Sequence, residues 1–152
     1  MHLMNKAQET VKITLLLYAV LLLLPFGFYF VYTSFDTIQK DTKIVHQTIR
    51  TGSMVEYIAL TPESDENHRL ILNVDKSFQN IATWVEQHTN SDFYIGTQTL
   101  MKDFSDANTC WKTYKEIITD HDDVLIKQHG IKCGKIIDNL SIIIEKMVYL
   151  KQ

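Results

Sequence analysis

Residues 100–118 read LMKDFSDANTCWKTYKEII, and the apolar members Leu100, Phe104, Ala107, Trp111, Tyr114 and Ile118 advance by 4, 3, 4, 3 and 4. An α-helix turns once in about 3.6 residues, so these steps keep all six side chains on one face. A half-buried strand would alternate with a period of two instead. The stretch therefore predicts an amphipathic helix whose apolar face needs a partner.

Its neighbours carry the same signature. Downstream, Ile136, Ile137, Leu140, Ile143, Ile144, Met147 and Leu150 form a second stripe; upstream, Leu70, Ile71, Val74, Phe78, Ile81 and Val85 form a third. A more ragged stripe precedes them at Ile38, Val45, Ile49, Val55 and Ile58. The connections have turn chemistry: HTNSD at 88–92 and DHDD at 120–123. Between this ragged stripe and the one that starts at Leu70, Thr61 reads as an N-cap and Pro62 as the first helical residue, where a missing N–H costs nothing. Four amphipathic helices with short polar links hide their stripes by packing on one another, which predicts an antiparallel up-down-up-down four-helix bundle.

Ahead of the bundle, residues 13–32 read ITLLLYAVLLLLPFGFYFVY, without a charge. At about 1.5 Å per residue this run matches a hydrocarbon core of about 30 Å. Pro25 and Gly27 are tolerated in such helices, and Phe26, Phe28, Tyr29, Phe30, Tyr32 and Phe35 crowd the end as an interfacial belt. The run is long for a signal peptide and no A-x-A-like site follows, so an uncleaved anchor is expected. Lys6 and Lys12 precede it with only Glu9 against them, and Asp36 and Asp41 dilute the basic residues that follow. That bias points to an inside N-terminus. The expected organisation is a short cytoplasmic segment (1–12), a transmembrane helix (13–32) and an extracytoplasmic bundle (33–152): an all-α protein of the inner membrane with its bulk in the periplasm.

Both cysteines flank the third connection. The midpoint of Cys110 and Cys133 falls inside DHDD, so in an antiparallel hairpin the two stand level on adjacent helices. A bridge would close a ring of about 24 residues, contributing about 3 kcal/mol in the chain-entropy model. An oxidising periplasm favours the disulfide; the other reading is two reduced residues packed as small hydrophobes.

Net charge of −3 and the lack of basic runs interleaved with aromatics argue against nucleic acid as a partner. No C-x-x-C-H, Gly-rich phosphate loop or G-x-S-x-G is present, so no catalytic residue, metal or cofactor is assigned. None of the six histidines forms an H-x-x-x-H pair. Trp84 and Trp111 lie near apolar stripes, as core residues or as walls of a pocket between helices. Arg50 is the best candidate for contact with an anion, because guanidinium binds planar oxyanions through two parallel hydrogen bonds.

IVHQTIRTGSMVEYIAL at 44–60, CWKTYKEI at 110–117 and the long apolar last helix together resemble the all-helical periplasmic sensor domains of nitrate/nitrite sensor kinases and type IV pilus chemoreceptors. The resemblance covers Thr33 to Lys151. It implies the input domain of a homodimeric bacterial receptor, which binds a small anionic ligand and passes a helix shift across the membrane to a second span beyond Gln152. Those families carry a G-x-x-R-M element in the first bundle helix. Met54 aligns with its methionine, Ser53 stands at the arginine position, and Arg50 is the nearest arginine. Arg50 and Ser53 are accordingly the candidate ligand contacts. The alternative is a single-pass helical scaffold for a membrane complex.

Overall fold

The computed structural model describes the backbone of residues 2–89, 96–119 and 123–150, with side chains from 17 to 149 within those ranges. Among the described residues the protein is all-helical: α1 (His2–Leu60), α2 (Asn67–Thr89), α3 (Thr97–Thr119) and α4 (Asp123–Leu150). The expected turn residues 90–92 and 120–122, and the end of the chain at 151–152, lie outside the described residues.

The chain separates into two units, 1–39 and 40–152. In the first, α1 continues through Pro25 without interruption. From Leu17 to Phe35 its large apolar side chains stand exposed, with Phe26 at 73% and Tyr32 at 74%. Among the described helices, α1 alone is long and apolar enough to cross a membrane. In its last exposed turns, Thr33 Oγ1 donates to the Tyr29 carbonyl at 3.0 Å and Thr37 Oγ1 to that of Thr33 at 2.9 Å, so these hydroxyls are satisfied within the helix.

The second unit is a helical bundle with one core. Its fully buried members include Val55 and Ile58 of α1, Val74 and Ile81 of α2, Leu100 and Trp111 of α3, and Ile137, Leu140 and Ile144 of α4. The α2, α3 and α4 stripes enter the core much as the sequence predicts. The α1 stripe does so in part: Val45, Val55 and Ile58 are buried, Ile38 and Ile49 are each 43% exposed, and the buried face also holds Asp41, Ile44, Thr48, Thr51 and Ala59. Polar side chains enter that face because they are satisfied locally: Thr48 Oγ1 donates to the Ile44 carbonyl at 2.8 Å and Thr51 Oγ1 to that of Gln47 at 2.7 Å.

α1 and α4 approach closely along glycines. A methyl group on Gly52 would overlap the Asp138 carboxylate, one on Gly134 the Glu56 Cγ, and one on Gly130 the Ala59 methyl. The partners descend along α4 as they ascend along α1. Towards α3, Cys133 meets Cys110, and Tyr114 of α3 reaches Gly130 at the same point as Ala59.

The connection after α1 corrects one expectation. Thr61 does not open α2; its hydroxyl donates back to the Tyr57 carbonyl at 2.7 Å and closes α1. Residues 62–66 form turns, and α2 begins at Asn67. The Asn67 side-chain amide donates to the carbonyls of Thr61 and Pro62, at 2.7 and 3.1 Å, and so fastens the start of α2 to the end of α1. Ahead of α3, Gly96 adopts φ 111, left-handed backbone that suits glycine, and its carbonyl accepts the Leu100 N–H at 3.0 Å.

Candidate functional site

A groove of about 410 Å³ runs between α1 and α2. From α1, Lys43, His46, Gln47, Arg50 and Met54 line it, at the steps of three and four that place residues on one helical face. From α2 come Asn73, Lys76, Ser77 and Asn80, in the same progression. Three cations and an imidazole thus meet neutral side chains, and among the described residues no carboxylate lines the groove. The chain as a whole carries a net charge of −3, so this concentration of positive charge runs against its average. Among the described residues, Lys43, Arg50 and Lys76 have no carboxylate partner. Clustered charge of one sign on an exposed groove raises the local concentration of anions.

Arg50 therefore stands among other cations, as an anion contact requires. Ser53 lies outside this groove; it is exposed, and its hydroxyl donates to the Ile49 carbonyl at 3.2 Å. Lys43 and Lys76 were not distinguished in the sequence, because each alone is an ordinary surface lysine. Only the pairing of α1 with α2 brings them together.

Both tryptophans belong to the core, at 5% and 1% exposure for Trp84 and Trp111. Each indole N–H donates to an aspartate on a neighbouring helix: Trp84 to Asp41 of α1 at 2.8 Å, and Trp111 to Asp75 of α2 at 2.7 Å. Asp75 also receives Lys115 Nζ at 2.8 Å, and that ammonium lies 5.7 Å from the centroid of the Trp111 ring. This second constellation closes its charges internally, so it offers an anion less than the α1–α2 groove does.

A further groove, of about 550 Å³, lies between α3 and α4, with Asp103, Asp106, Cys110, His129 and Lys132 on its walls. Its charges are mixed. Both cysteines are free thiols; Cys110 is half-buried and Cys133 is fully buried and hydrogen-bonded to it. Burial first, then that hydrogen bond, pushes the Cys133 thiol well above its ordinary value of 9.0. Among the described residues no group of three or more His, Cys, Asp or Glu side chains could hold a metal ion.

Compared with protein-family models, curated proteins and solved structures, the chain matches none of them.

Proposed function

We propose that this protein is a membrane-anchored sensor module. In this reading residues 13–32 span the inner membrane with the N-terminus inside, and residues 33–152 form an antiparallel up-down-up-down four-helix bundle in the periplasm. The bundle acts as a homodimer, takes a small anion in the α1–α2 groove, and passes a helix shift across the membrane. The observation that carries the proposal is the carboxylate-free groove around Arg50. The exposed apolar run from Leu17 to Phe35 supports the anchor, because so large an apolar surface is not left in water. Opposed contacts at Asp41–Trp84, Asp75–Trp111 and Glu56–Gly134 support the antiparallel arrangement. Arg50 and the apolar run belong to one helix, α1, so a ligand bound at Arg50 contacts the element that leads to the span.

Ligand binding stabilises the state that binds, so the test is thermal unfolding of the full chain in nanodiscs. Nitrate, acetate, phosphate and citrate are compared with chloride at constant ionic strength. At least one of them raises Tm, and Arg50→Ala abolishes the rise. No shift with any of the four rejects the sensor and leaves the scaffold as the better reading.

A further inference from the structure

We infer that the α1–α2 groove selects an elongated small polyanion, with two or more anionic groups held at once by α1 and α2, over a single oxyanion such as nitrate. This rests on the anion-sensor reading above and narrows it.

The argument is one of spacing. Lys43 and Arg50 are seven residues apart on α1, about 10 Å along the helix axis, with His46 between them. Lys76 supplies the third permanent cation from the opposite helix. A planar monoanion fits one guanidinium or one ammonium and leaves the other two cations of the groove uncompensated. Two anionic groups about 5–10 Å apart engage both ends of the α1 row, and the long Lys and Arg side chains converge to meet them. Asn73 and Asn80 supply neutral donors and acceptors, which suit a ligand that carries hydroxyl or carbonyl groups between its charges. The volume of about 410 Å³ also exceeds what one nitrate or acetate would fill. No carboxylate lines the groove to repel a second or third negative charge.

Calorimetric titration of the full chain tests this, in nanodiscs of zwitterionic lipid so that headgroups supply no competing net charge. Citrate is the polyanion probe; acetate and nitrate are the monoanion comparators, all at one ionic strength. Citrate is expected to bind at least about 100-fold more tightly than acetate or nitrate. Lys43→Ala, Arg50→Ala and Lys76→Ala are each expected to weaken citrate by about tenfold, the scale of one lost charge-assisted hydrogen bond. Lys112→Ala removes a cation from the α2–α3 groove and should leave citrate binding unchanged. Unfolding temperatures of the variants confirm that each retains the fold.

Nitrate or acetate binding as tightly as citrate, with loss on Arg50→Ala alone, overturns the polyanion inference while the anion sensor stands. Equal weakening by Lys112→Ala means that net charge rather than the groove attracts the ligand, and also overturns it. Absence of binding by all three anions overturns the polyanion inference, and absence of phosphate binding as well removes the sensor reading with it.

Discussion

The indole N–H of Trp84 donates to Asp41 Oδ1 at 2.8 Å inside the core, where both side chains are almost fully buried. His88 stacks on the same indole, with ring centroids 3.9 Å apart, and its Nε2 lies 3.5 Å from the same carboxylate oxygen. A buried carboxylate persists only where donors compensate its lost hydration, so this pair pins α1 against α2 by a polar contact. Asp41→Ala leaves the indole N–H buried without its acceptor and should cost about 1–3 kcal/mol. Asp41→Asn keeps an acceptor oxygen and should cost less. Denaturant unfolding of the full chain in mild detergent compares them, and equal losses would show that the hydrogen bond contributes nothing.

The three glycines facing α1 or α4 should rank by what a methyl group would strike. Gly130 faces the Ala59 methyl and, at 2.6 Å, the Tyr114 hydroxyl, neither of which can swing aside. Gly134 faces the flexible side chain of Glu56. Gly130→Ala should destabilise by about 1–2 kcal/mol, overpacking outweighing a helix-propensity gain of about 1 kcal/mol. Gly134→Ala should be neutral or slightly stabilising. Thermal unfolding that ranks the two the other way refutes the assignment.

The Tyr114 hydroxyl is buried and, among the described residues, meets no hydrogen-bond partner. Tyr114→Phe removes an unsatisfied polar atom while keeping the ring against Trp111, at 6.1 Å between centroids. Stability should therefore stay level or rise by about 1 kcal/mol. A loss larger than 1 kcal/mol would mean that the hydroxyl makes an essential bond.

Burial pushes the Asp138 carboxyl above its ordinary value of 3.8. The unfolded chain then gives up that proton first as pH rises. The associated stability is full below 3.8 and is lost as pH climbs through the folded value. Asp138→Asn cannot ionise, so it should be more stable than the parent at pH 7, with the gain shrinking as pH falls towards 3.8. Unfolding measured from pH 3 to 8 provides the comparison, and a gain independent of pH would point to packing instead.

The contact between the Cys110 and Cys133 thiols leads to a redox prediction. Under oxidising conditions the two should join, lowering the intact mass by two hydrogens, and reduction should cost about 3 kcal/mol of stability. In the reduced protein Cys133 deprotonates reluctantly, so alkylation at pH 8 should modify Cys110 first. Free thiols in protein isolated from an oxidising compartment would reject the staple.

The helices were legible wherever apolar residues alone fill the inner face, as from Leu100 to Tyr114. α1 was legible as a helix and its inner face only in part: Val45, Val55 and Ile58 are buried as read, but the same face also contains Asp41, Thr48 and Thr51. Threonine conceals itself by bonding the preceding turn, and an aspartate is accepted because groups distant in sequence compensate it, among them a tryptophan 43 positions later that donates to it. Periodicity of apolar residues cannot register either case. Thr61–Pro62 looked like a helix start because cap chemistry at a helix end serves either direction; the hydroxyl turned back to Tyr57. Arg50 was chosen for its guanidinium and lies in a cationic groove, whereas Ser53, taken from alignment with a motif, lies outside it. Lys43 and Lys76 stayed invisible because they converge only through tertiary packing.

The notches at Gly52, Gly130 and Gly134 also constrain how the bundle can move. At Gly130, where an added side chain would strike the Ala59 methyl, the close approach favours one register of α4 on α1, as a key fits a single slot.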